Sequence, residues 1–299
     1  MITLRQLEAL YWIHRLGTFE RAASKLNTSQ SAISKRIREL EESSGLPLFT
    51  RGQRGARLTE KGEQLLAIGE EMLELQDRIL ELKNNREMPA HRLRFGVTEL
   101  TALTWLPRFV EAVHKKYPKV VLEPYVDSGY ALLDKLRDEA VDLIVMPENL
   151  AYEEISSVRL AEVANAWMAK PGVIGPDASL ALNELTQLTV LAQSPRGGTG
   201  QFYARWFRGQ GIEFSNLILC DNLIALLGLT MAGVGVGYLP RQCFRSLVKD
   251  GKLEIVSAQP ALPSVPYSIM YRGQDLSFFL SEIVDLMADT CDYTRQLYA

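Results

Sequence analysis

Two short runs of helical spacing, separated by a two-residue polar turn, constrain the first sixty residues more tightly than any other feature of the chain. Thr18 can cap a helix over residues 19–26, whose Ala22-Ala23 pair permits close approach of a neighbouring backbone. Asn27-Thr28 makes the turn. Ser29 can then cap a second helix, with Ala32, Ile33, Ile37 and Leu40 on one stripe and Gln30, Ser31, Ser34, Lys35 and Arg38 on the opposite face. Upstream, Leu4, Leu7, Leu10, Tyr11 and Ile13 recur at helical spacing up to Gly17. Downstream, Leu48-Phe49-Thr50-Arg51, Gly52-Gln53-Arg54-Gly55 and Ala56-Arg57-Leu58 predict a hairpin with a glycine-rich tip. An ordinary helical hairpin with a solvated charged face would share the helical spacing, but not the hairpin that follows it.

Charge is divided in the same place. Residues 1–61 carry 11 Lys and Arg against 6 Asp and Glu, while the remainder carries 22 against 30, within a formal net charge of −3. A basic head on an acidic body points to a polyanion met by the head alone, since neutralising phosphate takes a local cluster of cations. A polar, basic helix presented by a tight turn fits a DNA major groove, where its amino-terminal residues reach base edges. Arg51, Arg54 and Arg57 would then lie near phosphate or the minor groove.

The run Thr18, Ala22, Ala23, Leu26, Ser29, Gln30, Ser31, Ala32, Ile33, Ser34, Ile37, Leu40, Glu41, Gly45, Leu48, Phe49, Arg51, Leu58, Thr59 and Gly62 resembles the DNA-binding signature of LysR-type transcriptional regulators. Two positions depart from the commonest pattern: Ser31 stands where proline is frequent, and Ser44 where an aliphatic residue is usual. The resemblance implies that Ser29 belongs to the DNA-binding set, that Gln30, Ser31, Ser34 and Lys35 lie nearest the bases, and that Arg36, Arg38, Arg51 and Arg54 lie near the backbone or minor groove. It also implies a winged helix-turn-helix over residues 1–58, a linker helix over 59–88 and an effector-binding domain over 89–299.

In the linker, Leu65, Ile68, Met72, Leu75, Ile79 and Leu82 are spaced 3, 4, 3, 4 and 3 residues apart, the seam of a short coiled coil. A lone amphipathic helix lying on its own domain would show a similar stripe. The resemblance favours pairing with a second chain, giving a homodimer or homotetramer on a partly palindromic promoter site, with RNA polymerase as a further partner. The polar run Asn84-Asn85-Arg86-Glu87-Met88-Pro89 marks the boundary.

From Leu93 onward, apolar runs of strand length alternate with helical stretches. Strands are expected at 93–97, 120–125 and 141–146, with helices at 103–116 and 130–139 between them. The pattern restarts with strands at 189–192, 217–220 and 234–238 and helices at 199–208 and 223–232, and a last helix covers 276–291. Such alternation builds a parallel α/β sheet. Two α/β lobes, about 93–164 with 268–299 and about 165–267, resemble the type II periplasmic-binding-protein fold, with crossings near Ala164-Asn165-Ala166-Trp167 and Val265-Pro266-Tyr267.

Ligands of open α/β sheets sit beyond the carboxyl ends of the strands, where helix amino termini offer free N–H groups. Those places hold Thr98, Leu100, Thr101, Ser128 and Pro147 in lobe one, and Gln193, Ser194, Thr199, Asp221 and Tyr238 in lobe two. Hydroxyls at helix starts suit a small organic or aromatic carboxylate; each could equally be a plain helix cap.

Competing classes fit less well. Arg196-Gly197-Gly198-Thr199-Gly200 lacks the lysine of a P-loop, and Gly233, Gly235 and Gly237 suit a tightly packed strand. His14, His91 and His114 are scattered, so neither enzyme chemistry, a metal nor a cofactor is expected. A transport-type binding protein would carry a secretory leader and no DNA head, whereas the amino terminus shows no basic-then-apolar segment and no apolar stretch approaches the ~20 residues of a membrane span. Cys220, Cys243 and Cys291 are odd in number and too sparse for a disulfide framework, which fits a cytoplasmic chain. Redox sensing through Cys220 and Cys243 is an alternative; neither stands in an evident basic pocket.

Overall fold

The computed structural model describes residues 1–50, 56–82, 92–148, 154–174, 179–273 and 276–295. The chain divides into two compact units, residues 1–88 with 277–280, and residues 89–276 with 281–299.

The first unit contains α1 (Leu4–Leu16), α2 (Phe19–Lys25), α3 (Gln30–Ser44) and α4 (Glu60–Leu82). Gly17 and Gly45 close α1 and α3 with φ of 75° and 69°, a left-handed cap that favours glycine. The Thr18 hydroxyl accepts the Arg21 N–H, and Asn27 takes φ of 47° in the turn between α2 and α3. Leu7, Leu10, Ile13, Ala22, Ile33, Leu40 and Leu48 are at most 2 % exposed and form the core. Phe49 and Leu58 pair as an antiparallel bridge, and the Thr50 N–H donates to the Arg57 carbonyl at 2.9 Å, so the two arms of the expected hairpin meet. Its tip, residues 51–55, lies outside the described residues.

α4 carries two apolar rows rather than one. Gly62, Leu66, Gly69 and Leu73 face inward, where a Cβ on Gly69 would stand 3.3 Å from Leu7. Ile68, Met72, Leu75 and Ile79 point to solvent. The helix does lie on its own unit, but mainly through a row other than the 3–4 stripe, of whose described side chains Leu65 alone packs against the core.

The second unit holds two mixed sheets. β1 (Arg92–Val97), β2 (Val121–Val126), β3 (Leu143–Pro147), β4 (Ile155–Val163) and β11 (Val265–Arg272) form the first, in the order β2-β1-β3-β11-β4. Around it run α5 (Glu99–Thr104), α6 (Leu106–Lys116), α7 (Gly129–Arg137) and α12 (Phe278–Thr290). The second sheet is built from β5 (Asn165–Ala169), β6 (Ser179–Ala181), β7 (Val190–Gln193), β8 (Leu217–Cys220), β9 (Val236–Pro240) and β10 (Glu254–Gln259), in the order β6-β10-β5-β9-β7-β8. Its helices are α8 (Leu182–Leu185), α9 (Gly198–Gly209), α10 (Leu223–Ala232) and α11 (Arg245–Lys249). The chain passes between sheets at Ala164 and returns through residues 260–264.

Two expectations change here. The sheets are mixed rather than parallel, because β11 and β5 arrive from the opposite lobe and run antiparallel to β3 and β9. The helix expected over 103–116 is two helices, with the break at Trp105. Pro107, in the first turn of α6, has no N–H to give a continuous helix but is well placed to start a new one.

Candidate functional site

Ser29 fixes the start of α3: its hydroxyl accepts the Ala32 N–H at 3.2 Å and lies 2.9 Å from the Ser31 hydroxyl. Burial of Ile33, Ile37 and Leu40 then orients the helix. Gln30, Ser31, Lys35 and Arg38 are exposed on the far side, Ser34 is half-buried beside them, and Arg36 is half-buried on the flank. Lys35 stands 3.8 Å from Glu39, a solvent-exposed pair that holds little energy and yields readily to phosphate. Arg57 is exposed on the wing, while Arg51 and Arg54 lie outside the described residues. The exposed face of α3 is therefore a row of amide, hydroxyl and cationic groups on a rigid helix, the chemistry that reads base edges and phosphates.

In the second unit, a cleft of about 460 Å³ lies between the two lobes. Three helices of full length begin at its walls: α7 from lobe one, capped by Ser128, and α9 and α10 from lobe two, the latter capped by Asn222. Of the residues singled out in the sequence, Thr98, Leu100, Ser128, Pro147, Gln193, Thr199 and Asp221 line it. Arg196 is the one basic side chain among the described lining residues, and Glu99, Asp127 and Asp221 are acidic. The lobes touch directly at its edge. The Tyr130 N–H donates to the Arg196 carbonyl at 3.4 Å, the Gln201 amide donates to the Tyr130 hydroxyl at 2.7 Å, and a Cβ on Gly129 would meet the Gly198 nitrogen at 3.0 Å.

Three residues expected at the ligand are placed otherwise. Thr101 is fully buried inside lobe one, its hydroxyl 3.0 Å from that of Tyr293, because the row of α5 that packs inward includes Thr101 while Thr98 and Glu99 are left at the cleft. Tyr238 is buried beneath the cleft and its hydroxyl accepts the Gln193 N–H at 3.1 Å; burial pushes its pKa up. The Ser194 hydroxyl accepts the Arg196 N–H at 3.3 Å and so shapes the loop instead of lining the cavity.

Tyr267 also lines the cleft, although it is not among the site residues expected from the sequence. The sequence marks it only as part of a crossing between lobes, yet it reaches the cleft, next to the hydroxyls of Thr98 and Thr199. Burial raises its pKa and those hydroxyls partly offset the rise, so the phenol stays protonated and can donate. The Thr98 oxygen is shielded from solvent and lies close to Tyr267 without completing a hydrogen bond of normal geometry.

Cys220, Cys243 and Cys291 are thiols outside any disulfide. Cys243 is buried, Cys220 is half-buried with its Sγ 3.4 Å from the Asn222 carbonyl, and burial together with the Asp292 charge pushes the Cys291 thiol up to about 11. Among the described residues, no cluster of three or more His, Cys, Asp and Glu is placed to hold a metal, and no helix is long and apolar enough to cross a membrane.

A reading helix on one unit and a two-lobed small-molecule cleft on the other define an effector-responsive DNA-binding protein. Comparison with known families agrees. Residues 4–63 match the bacterial regulatory helix-turn-helix of the lysR family, and residues 86–292 match the LysR substrate binding domain. The chain belongs to the LysR-type transcriptional regulators, which are DNA-binding proteins and not enzymes. It is similar to the transcriptional activator AmpR of Rhodobacter capsulatus, 28% identical over 82% of this chain and 81% of that one. It is also similar to the uncharacterized regulator YusT of Bacillus subtilis, 24% identical over 89% and 88%. The crystal structure of full-length BenM shares the fold, with a TM-score of 0.56 and 20% identity over 96% of each chain.

Proposed function

We propose that this regulator binds promoter DNA as a homo-oligomer and that a small organic or aromatic carboxylate, held between the lobes, modulates its action. The observation that carries the ligand class is the cleft itself, where the starts of α7, α9 and α10, the hydroxyls of Ser128, Thr199 and Tyr267, and the basic residue Arg196 favour negative charge against the acidic Glu99, Asp127 and Asp221. A ligand touching both lobes gains different contact energy in open and closed forms, as any ligand-driven switch requires. A thermal-shift screen of small organic and aromatic acids against the full-length protein tests the reading, since a ligand at about 100 times its dissociation constant adds about 2.7 kcal/mol. Thr199→Val should weaken the best hit by about 1–3 kcal/mol through loss of one donor. Unchanged affinity in that variant would move the site elsewhere.

Two apolar surfaces support assembly. One is the α4 row of Ile68, Met72, Leu75 and Ile79; the other lies on the edge strands, where Val121, Tyr125 and Val126 of β2 and Leu217, Ile218 and Leu219 of β8 are exposed. Two distinct self-complementary faces allow a tetramer, since a dimer closed through one leaves the other free. Contact with RNA polymerase and a cytoplasmic location complete the reading; both rest on the family's role at promoters.

On DNA, Gln30, Ser31, Ser34 and Lys35 would face the bases, Ser29 would lie at the DNA end of the same helix, and Arg36, Arg38, Arg51 and Arg54 would meet the backbone or minor groove. Gln30→Ala should cost about 1–3 kcal/mol at one base pair and relax the preference there. Arg38→Ala should weaken binding to all sequences alike and flatten the salt dependence. Equal losses on specific and random DNA for both variants would overturn these roles.

A further inference from the structure

Glu99 begins α5 in lobe one, yet its carboxylate crosses the cleft to lobe two. One oxygen accepts from the Asn222 side-chain amide and the other from the Leu223 backbone N–H, at the amino terminus of α10. Glu99, Asn222 and Leu223 all line the cavity, so the contact sits within the ligand space rather than beneath it. Glu99 is only half-buried, which leaves the carboxylate open to exchange with solvent species. Asn222 is oriented for this contact, since its side-chain oxygen accepts the Ala225 N–H at 2.8 Å and so turns its NH2 toward Glu99.

Chemically this is a bound carboxylate. An ionised oxygen pair facing a helix N–H and an amide NH2 is the arrangement that a ligand carboxylate would adopt there. The interaction also joins the lobes directly, beside the Tyr130–Arg196 and Gln201–Tyr130 contacts at the other edge.

We propose that Glu99 is an internal surrogate ligand and a specificity-determining residue: it occupies the anion position at the start of α10, latches the lobes together, and admits an effector carboxylate there only by being displaced. This deepens the effector reading above and depends on it for what displaces Glu99; the latch itself does not. Tethering gives Glu99 a high effective concentration, so a small free anion competes poorly, whereas a ligand with further contacts to Arg196, Thr199 or Tyr267 competes well. The cleft would thereby reject simple anions.

The test is amide hydrogen exchange of the α10 first turn in the full-length protein, read for wild type, Glu99→Ala and Glu99→Gln, with sodium formate as the probe and sodium chloride at equal ionic strength as the control. In Glu99→Ala the Leu223 amide should exchange at least about tenfold faster, a change of about 1.4 kcal/mol. Formate should restore its protection, at concentrations at least about tenfold below any that alter the wild type. Glu99→Gln keeps an acceptor oxygen in place and should give intermediate exchange with no response to formate. Unchanged Leu223 exchange in either variant, or a formate response equal to that of chloride, overturns the proposal. Should the alanine variant fail to fold, the glutamine variant decides on exchange alone. No effector is needed, so failure of the acid screen and failure of the latch are separate results.

Discussion

Ile79→Asp should dissociate the assembled protein and remove most of its operator affinity. Ile68, Met72, Leu75 and Ile79 lie on one face of α4 and are 55%, 42%, 52% and 61% exposed, while Leu66 and Leu73 on the inward row are nearly fully buried. In water, four large apolar side chains left in a row at heptad spacing gain nothing unless a second helix covers them. Each covered side chain is worth roughly 1.5–3 kcal/mol, and an aspartate within the row replaces that gain with a desolvation cost. Loss of pairing leaves each head to bind a half-site alone, and tethering of two heads is worth about 10²–10⁴ in apparent affinity. Sedimentation velocity at micromolar concentration and a DNA titration measure both effects. A wild-type monomer would refute the pairing.

Gly62→Ala should destabilise the DNA-binding unit as strongly as a core deletion, although it adds one methyl group. A Cβ at Gly62 would lie 2.3 Å from the Leu48 carbonyl oxygen and 3.1 Å from Leu58. The surroundings cannot give way. The Leu48 carbonyl accepts the Thr59 N–H at 2.9 Å, the Leu48 N–H is held by the Glu41 carboxylate at 2.7 Å, and Thr59 Oγ1 accepts the Gly62 N–H at 2.9 Å while donating to the Pro47 carbonyl at 2.7 Å. Overpacking at so constrained a point costs on the order of 3 kcal/mol. For a unit of this size that lowers the melting temperature by roughly 12 to 24 °C. Lys61→Ala, at an exposed neighbouring position, is the control. A melting temperature equal to that of the control would show that the first turn of α4 has room to move.

The DNA-binding unit was legible because its determinants are local. Thr18 and Ser29 cap helices through N–H groups three residues away, and Gly17 and Gly45 end helices through their own backbone freedom. The apolar stripe of α3 fixes which face remains exposed. Much of the cleft was legible for a related reason: residues at the starts of helices that follow strands must gather at one end of a sheet, which brought Thr98, Ser128, Thr199 and Asp221 together.

Sequence alone thus determined the class of protein, its two kinds of unit, and the face of α3 left exposed, all through interactions between residues a few positions apart. Tertiary structure alone decided the rest. Thr98 and Thr101 are indistinguishable as hydroxyls on one short helix, and the packing of α5 against lobe one sends the first to the cleft and the second to Tyr293. Leu66 and Ile68 are equally apolar, and docking against α1 buries one and exposes the other. Glu99 meets Asn222 and Leu223 across more than a hundred residues of chain. No periodicity records such meetings, because they are set by how separately formed elements pack and not by the spacing within any of them.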